Sequence, residues 1–207
     1  MGRPPKSLAR NTRREIVDAA LDLFAQQGFH GTSMRQIGRA VGVRESALYH
    51  HFASKDAILE ALTKELGPGK FDELTAADIG ALLEAAGAKQ VLENLAHALF
   101  EQWSDPAEQK FMRIIMAEGL RGGPSGRIHP IAVLGHALGR VSGLFTEMMR
   151  RKQIRKADPE IVARAFMGPM MMMRMMYLVL SGAPPDKKKL RALVQGHLDF
   201  FWHAVRP

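Results

Sequence analysis

The sequence predicts an all-α fold, a three-helix helix-turn-helix domain followed by a larger helical bundle. Three observations lead there. Apolar residues recur at steps of three and four through most of the 207-residue chain, the spacing of one helix face. The run Thr32 to Lys55, TSMRQIGRAVGVRESALYHHFASK, reads as two short helices joined by a glycine turn, with a further helix starting at once. After about Gly67 no segment carries the turn-bounded, two-residue alternation of a strand.

The first helix is expected from about Thr12 to Gln27, because Ile16, Ala19, Ala20, Leu23 and Phe24 fall on one face and Gly28 suits the left-handed residue that closes a helix. Thr32 or Ser33 can cap the second helix, whose buried face is Met34, Ile37 and Val41. Gly42 supplies the turn. Val43 and Leu48 point inward from the third helix, Phe52 plugs the gap behind it, Ser54 caps the fourth, and Ile58, Leu59 and Leu62 are the fourth helix's buried side. Once this core is assigned, Arg44, Glu45, Ser46, Tyr49 and His50 remain as the outer face of a very short helix. In a helix-turn-helix that face enters the major groove of DNA.

Residues from about Arg13 to Leu62 resemble the DNA-binding domain of the tetracycline-repressor (TetR) family of bacterial transcriptional regulators. The resemblance rests on Ala19, Ala20, Leu23, Phe24, Gly28, Thr32, Met34, Ile37, Ala40, Gly42 and Val43, then on Leu48-Tyr49-His50-His51-Phe52 and Ser54-Lys55. It implies phosphate contacts from Thr32 or Ser33, from Tyr49 and from Lys55, in keeping with the hydroxyls, ammonium groups and helix N-termini that phosphate oxygens accept from. Base reading then falls to Arg44, Glu45, Ser46 and His50, since arginine can fork onto guanine and glutamate can accept from cytosine. Two departures stand out: Arg44 occupies a position where a capping serine is common, and Glu45 one where a basic residue or proline is common. Gly38 also replaces a usual alanine, at a helix cost of about 1 kcal/mol, which points to close packing there.

The first fourteen residues carry Arg3, Lys6, Arg10, Arg13 and Arg14 and no acid. They read either as a solvated tail or as an arm whose Arg3, Lys6 and Arg10 enter the minor groove. The chain has 29 Lys+Arg against 21 Asp+Glu, a net +8, which attracts polyanions without saying which. No apolar segment follows the basic N-terminus as in a secretory signal. The most apolar run, 165–180, is shorter than the ~20 residues a membrane span needs and holds Arg174 and Pro169. Cysteine is absent, which excludes disulfides and thiolate metal sites and suits a bacterial cytoplasm. No metal, cofactor or membrane partner is expected.

The chain divides at the GPGK break, residues 67–70, into a DNA-binding domain (1–66) and an effector-binding and dimerisation domain (67–207). Helices are expected near 76–86, 88–103, 106–121, 130–152, 159–180 and 186–205. Asp105-Pro106 with Glu108 predicts a cap, a first-turn proline and a reciprocal acid, and Asp158-Pro159 repeats the first two. Leu134, Leu138, Val141, Phe145 and Met148 form a helix seam. The last helix carries Leu190, Leu193, Val194, His197, Leu198, Phe201 and Val205 on one side, with Phe200 and Trp202 widening its apolar arc. So wide an arc needs partners on more than one side, and the family resemblance supplies one: a homodimer through the last two helices, with Leu190, Leu193, Val194, His197 and Phe201 in the interface.

Six methionines crowd the segment Met170–Met176 after Gly168-Pro169; methionine fills irregular spaces, which suits an adaptable core or dimer contact. Trp103, Phe111, Met112, Met116, Phe145, Met148, Met149, Met170 and Met173 fall on helices that enclose the effector pocket in TetR-like proteins, with His97, His129 and His136 as candidate polar groups. The run Arg150 to Lys156 reads as a solvated helix end whose cations complement the helix dipole. The function expected is a homodimeric regulator, a repressor, released from a palindromic DNA operator by a small apolar or amphipathic effector. A helical-bundle enzyme finds no thiol, nucleophile elbow, phosphate loop or HExxH in this sequence. A DNA-packaging protein without sequence preference leaves the large apolar C-terminal portion without a role.

Overall fold

A computed structural model describes residues 6–67, 72, 78–120, 130–181 and 184–207, with backbone alone at 6–11, 120 and 130–133. Nine α-helices run through the described residues: α1 Lys6–Gln27, α2 Met34–Val41, α3 Glu45–His51, α4 Lys55–Leu66, α5 Ile79–Trp103, α6 Pro106–Leu120, α7 Pro130–Arg150, α8 Pro159–Met173 and α9 Lys187–Val205. A π-helical turn, Arg174–Val179, continues α8. No strand occurs among the described residues. None of their helices is long and apolar enough to cross a membrane.

The chain forms two compact units, Met1–Gly67 with Lys110–Pro130, and Pro68–Gln109 with Ile131–Pro207. A single cut at residue 66 therefore differs from the observed division, since most of α6 belongs with the first unit. The first unit's core joins Ile16, Ala20 and Phe24 of α1 to Ile37, Leu48, Phe52, Ile58 and Leu62, all buried. Lys110 Nζ sits 2.6 Å from Asp22 of α1, and Glu118 lies 3.2 Å from His30 in the loop after α1. The second unit is organised on three rings: Phe166 lies 5.7 Å from Phe145 and 5.2 Å from Phe201 between centroids. One ring each comes from α7, α8 and α9, so a single aromatic cluster ties three helices together.

Helix ends follow from side chains that satisfy the orphan N–H groups of a first turn. Ser54 accepts from Ala57 N–H at 3.1 Å, Asp78 from Gly80 N–H at 2.8 Å, Asp158 from Glu160 N–H at 2.8 Å and Asp186 from Lys189 N–H at 3.0 Å. Gly87 adopts φ 73 and ψ 164 inside α5, which breaks that helix between the two segments expected at 76–86 and 88–103. Three expectations need correction. The first helix starts at Lys6, not Thr12, so Lys6 and Arg10 of the expected arm stand in that helix; Arg3 lies outside the described residues. Glu108 does not reach back to cap α6. It is buried against Arg174 of the π turn, while the Asp105 N–H is taken by the Gln102 carbonyl at 3.1 Å. The helix expected over 159–180 is α-helical only to Met173. Pro169 has no N–H for its own helical bond, and by Leu180 the bond runs to Met175 O at 2.9 Å, the five-residue step of a π turn.

Candidate nucleic-acid interface

α2 is closed at both ends. Ser33 is its N-cap: its hydroxyl oxygen accepts from Gln36 N–H at 3.3 Å, and its own N–H donates to Gln36 Oε1 at 2.7 Å. Gly42, at φ 74, ends it in the left-handed region. Gly38 is buried on the face toward α3, where a Cβ would stand 2.9 Å from Leu48 Cδ1 and 3.1 Å from Val43 O. The two helices pack closely at 38, where an alanine would need the end of Leu48 and the Val43 carbonyl to shift slightly.

α3 buries Leu48 completely. Arg44, Glu45, Ser46, Tyr49 and His50 are all exposed, with Tyr49 at 51%. Arg44 is the N-cap of α3 without a side-chain cap bond, as its guanidinium has only donors and cannot accept from the first-turn N–H groups. Phe52 closes the motif from behind, buried, with the Arg13 guanidinium 4.7 Å from its ring centre.

Two of the residues expected to grip phosphate face elsewhere. Thr32 is 2% exposed and its hydroxyl donates to Gly28 O at 2.9 Å. It secures the turn after α1, because a buried hydroxyl needs a partner. Lys55 donates to the carbonyls of Phe29 and Thr32, both at 2.6 Å, with its ammonium 4.4 Å from the Phe29 ring centre. Burial pushes its pKa down, partly offset by the charges of Asp56 and Glu118. Two of its three donors thus staple the loop that presents α2. Ser33 and Tyr49 remain at the surface.

In the second unit a cavity of about 230 Å3 lies between α5 and α7. Ile79, Leu82, Val91 and Leu95 line it from α5, Val141 and Leu144 from α7, and Ala86 and Ala98 fill in the α5 side. Its polar lining is Asn94 and Arg140. None of the nine residues expected in a pocket lines this cavity. Phe145, Met148 and Met170 are fully buried in the core, Trp103 is nearly so, and Met149 and Met173 pack against it. Trp103, Met170 and Met173 border a void of only about 10 Å3. Phe111 is buried, and Met112 and Met116 half-buried, on the part of α6 that belongs to the first unit. Large apolar side chains of the seam were consumed by the core; the cavity is left where the α5 and α7 side chains are smaller. Of the histidines, His97 is exposed, His136 sits 2.7 Å from Asp72, and His129 lies outside the described residues. Arg140 and Asn94 carried no sequence signal beyond being polar residues inside apolar helix runs.

The void adjoins a buried ion pair. Arg174 and Glu108 are 7% and 3% exposed, and the Arg174 guanidinium stands 4.9 Å from the Trp103 ring centre. Burial pushes the Glu108 carboxyl up to about 7 against the opposing pull of Arg174. By contrast, Arg150 and Arg151 bond Glu147 at 2.6 and 2.7 Å near the surface and hold its carboxyl well below the usual range, as fits a solvated helix end.

The expected dimer residues also divide. Leu190, Val194 and Phe201 are buried within their own unit, and His197 bonds Phe166 O at 2.8 Å. Only Leu193 of the five is exposed. The outer side of α9 instead carries Leu193, Gly196, Phe200 and Ala204, and that of α8 and the π turn Ile161, Met172, Met176 and Leu180. Phe200 is 78% exposed.

A short outward-facing helix locked against a capped helix by a glycine contact is the architecture of a helix-turn-helix DNA-binding protein. The sequence pattern of bacterial regulatory proteins of the tetR family matches residues 16–62, and that of the AefR-like transcriptional repressor C-terminal domain matches residues 90–206. The chain belongs to the TetR family of helix-turn-helix transcriptional regulators, a family of regulators and not of enzymes. It is 31% identical over 130 residues to the uncharacterized HTH-type transcriptional regulator TtgW of Pseudomonas putida, covering 62% of this chain and 89% of that one. It is also 31% identical over 130 residues to the HTH-type transcriptional regulator SrpR of Pseudomonas putida, where the match spans 62% of this chain and 56% of the relative. In fold it is similar to a TetR-family transcriptional regulator from Mesorhizobium loti, with TM-score 0.70, 22% identity, and 96% and 98% of the two chains covered.

Proposed function

We propose that this regulator is a homodimeric repressor that binds a palindromic operator and is released by a small apolar or amphipathic effector. The observation that carries the reading is the outer face of α3, five polar or charged side chains on a helix whose single buried residue is fully enclosed. Ser33 and Tyr49 contact phosphates, with the third donor of Lys55 beside them; Arg44, Glu45, Ser46 and His50 read bases. The first fourteen residues, rich in Arg and Lys, add electrostatic attraction to the backbone.

One such helix reads few bases, and two placed about 34–36 Å apart read a palindrome. The exposed apolar side chains Ile161, Met172, Met176 and Leu180 of α8 and its π turn, and Leu193 and Phe200 of α9, support self-association, because several large apolar residues left exposed on the last two helices suit a contact surface. A twofold pairing of the last two helices makes this face self-complementary. The cavity between α5 and α7 supports an effector site. The effector shifts operator affinity only by binding the DNA-competent and DNA-incompetent states unequally.

Selection of bound sequences from random DNA, with light scattering on the same protein, tests the whole reading. The expected outcome is one palindromic site bound by a dimer. A monomer in solution, or binding spread evenly over all sequences, sinks it in favour of DNA packaging.

A further inference from the structure

α5 is made of two segments that differ in how firmly they are held. Residues 88–103 bury Ala88, Val91, Leu92, Ala96, Leu99 and Phe100, among others. Of residues 79–86 Leu83 alone is buried, and Leu82 is 43% exposed. The segments meet at Gly87, whose φ of 73 and ψ of 164 fall in a region open in practice only to glycine. A Cβ built at 87 meets nothing within 4 Å, so the glycine serves a backbone angle and not a lack of space. A short helix with little buried area, joined at such a residue to a firmly buried one, is the kind of segment that opens locally.

The lightly held segment walls the cavity between α5 and α7. Ile79, Leu82 and Ala86 line it before Gly87, and Val91, Leu95 and Ala98 after it. Leu82 both lines the cavity and is exposed, so the mouth lies at this segment. The residues that follow α7 hold the segment by its backbone. Gln153 Nε2 donates to Leu83 O at 3.0 Å, and a Cβ at Gly80 would stand 2.8 Å from Arg151 Nη2. Neither Gln153 nor Arg151 lines the cavity. While Gln153 holds Leu83, its Oε1 is buried without a hydrogen-bond partner. Opening lets water reach that oxygen, which offsets part of the bond that opening breaks.

We propose that residues 79–86 are a lid, which turns about Gly87 to admit an apolar guest to the cavity and then seats Leu82 over it. This deepens the effector reading above and rests on it for the guest. A hinge is a residue that absorbs a large change of backbone angle, and glycine at 87 reaches the observed angles and helical ones alike. In the open form Leu83 leaves the core and the Gln153 bond is lost, while residues from Ala88 onward stay in place. The Gln153 bond is made in the empty and the filled closed forms alike. Gln153 is therefore a positioning residue: it sets how often the cavity opens without touching what the cavity holds, so its loss speeds entry and exit together and changes their ratio little.

Hydrogen exchange and stopped-flow fluorescence on the full-length protein test the lid, with N-phenyl-1-naphthylamine as an uncharged apolar probe that brightens when it leaves water. Amides of residues 79–86 should exchange about tenfold or more faster than those of 88–103, and bound probe should slow the first set. Gln153→Ala should raise the probe's association and dissociation rates together, severalfold, with Kd held within about twofold. Gly87→Ala should quicken exchange of 79–86 and leave 88–103 unchanged, since its methyl group meets no neighbour and only the backbone angle is disfavoured. A single exchange rate along the whole of α5 overturns the lid, as does a Gln153→Ala variant whose two rates match the parent's or whose Kd alone changes. The two readings separate on the parent protein. Probe bound with rates that Gln153→Ala leaves unmoved sinks the lid and keeps an apolar effector site; no binding by the parent sinks both, because a cavity without a guest has nothing to seal.

Discussion

α3 and α9 are both two-faced helices, and they expose opposite kinds of surface. α3 buries Leu48 and turns charged and hydrogen-bonding groups outward. α9 buries Leu190, Val194, Leu198, Phe201 and Val205 and turns a second apolar row outward, Leu193, Gly196, Phe200 and Ala204. A polar face left over after the core is assigned names its ligand by its chemistry. A helix with two apolar rows, such as α9, does not say which row meets its own subunit, because both satisfy the same hydrophobic requirement. The steps between buried residues of α9 are four, four, three and four, and the exposed row steps three, four and four, so spacing alone gives two equivalent registers.

Substitutions can break this contrast, starting with the outward row of α9. Phe200→Glu places a charge at the most exposed of the large apolar side chains. The variant should run as a monomer in light scattering and lose operator affinity by about 100-fold or more, the usual loss when two linked contacts become one. Its far-ultraviolet circular dichroism should stay unchanged, since Phe200 takes no part in the core. A dimer of full operator affinity would mean that subunits pair elsewhere.

The inward side answers differently. Phe166→Ala empties the ring cluster shared by α7, α8 and α9 and should lower unfolding stability by about 3–5 kcal/mol in urea denaturation. It should do so without a first effect on oligomeric state. If Phe200→Glu and Phe166→Ala proved interchangeable in these two measurements, the division of α9 into core and contact faces would be wrong.

The buried pair of the second unit gives a pH test. Glu108 is held up to about 7 in the folded chain against an ordinary value of 4.5. The folded state therefore keeps a proton that the unfolded chain releases, and this contribution to stability is full below 4.5 and falls as pH rises through the folded value. Glu108→Gln cannot titrate. The stability gap between the parent and this variant should narrow on the order of 2–3 kcal/mol from about pH 4.5 to 7 and stay level beyond. A gap that widened over that range would show the carboxylate to be stabilised by Arg174 more than it is penalised by burial.

On α3 the effects are smaller and specific. Arg44→Ala should relax preference at one or two base positions by about 1–3 kcal/mol, read by competition among operator variants. Tyr49→Phe should weaken binding to every sequence alike by about 0.5–1.5 kcal/mol. A uniform loss with Arg44→Ala would make it a backbone contact and move base reading to Glu45, Ser46 and His50.

Local pattern determined much of this protein. The period of apolar residues, the caps Ser33, Ser54, Asp78, Asp158 and Asp186, the break at Gly87 and the turn at Gly42 are short-range events, each decided within about one helical turn of its own residues. The all-helical class and the polar face of α3 follow from them, and so does membership of a DNA-binding family. Tertiary structure alone decided where long side chains of ambiguous allegiance went. Glu108 had the position of a capping acid and left it for Arg174, sixty-six residues away in sequence. Lys55 and Thr32 had the chemistry of phosphate ligands and were spent on carbonyls of the loop they stabilise. The large apolar residues suited to a pocket packed into the core, so the cavity opened beside Asn94 and Arg140 instead. The physical reason is common to all of them. A hydrogen bond to a near neighbour is fixed by local backbone geometry. Burial of a charge, a hydroxyl or a ring is decided by which distant surface closes over it, and that surface exists only once the helices have packed.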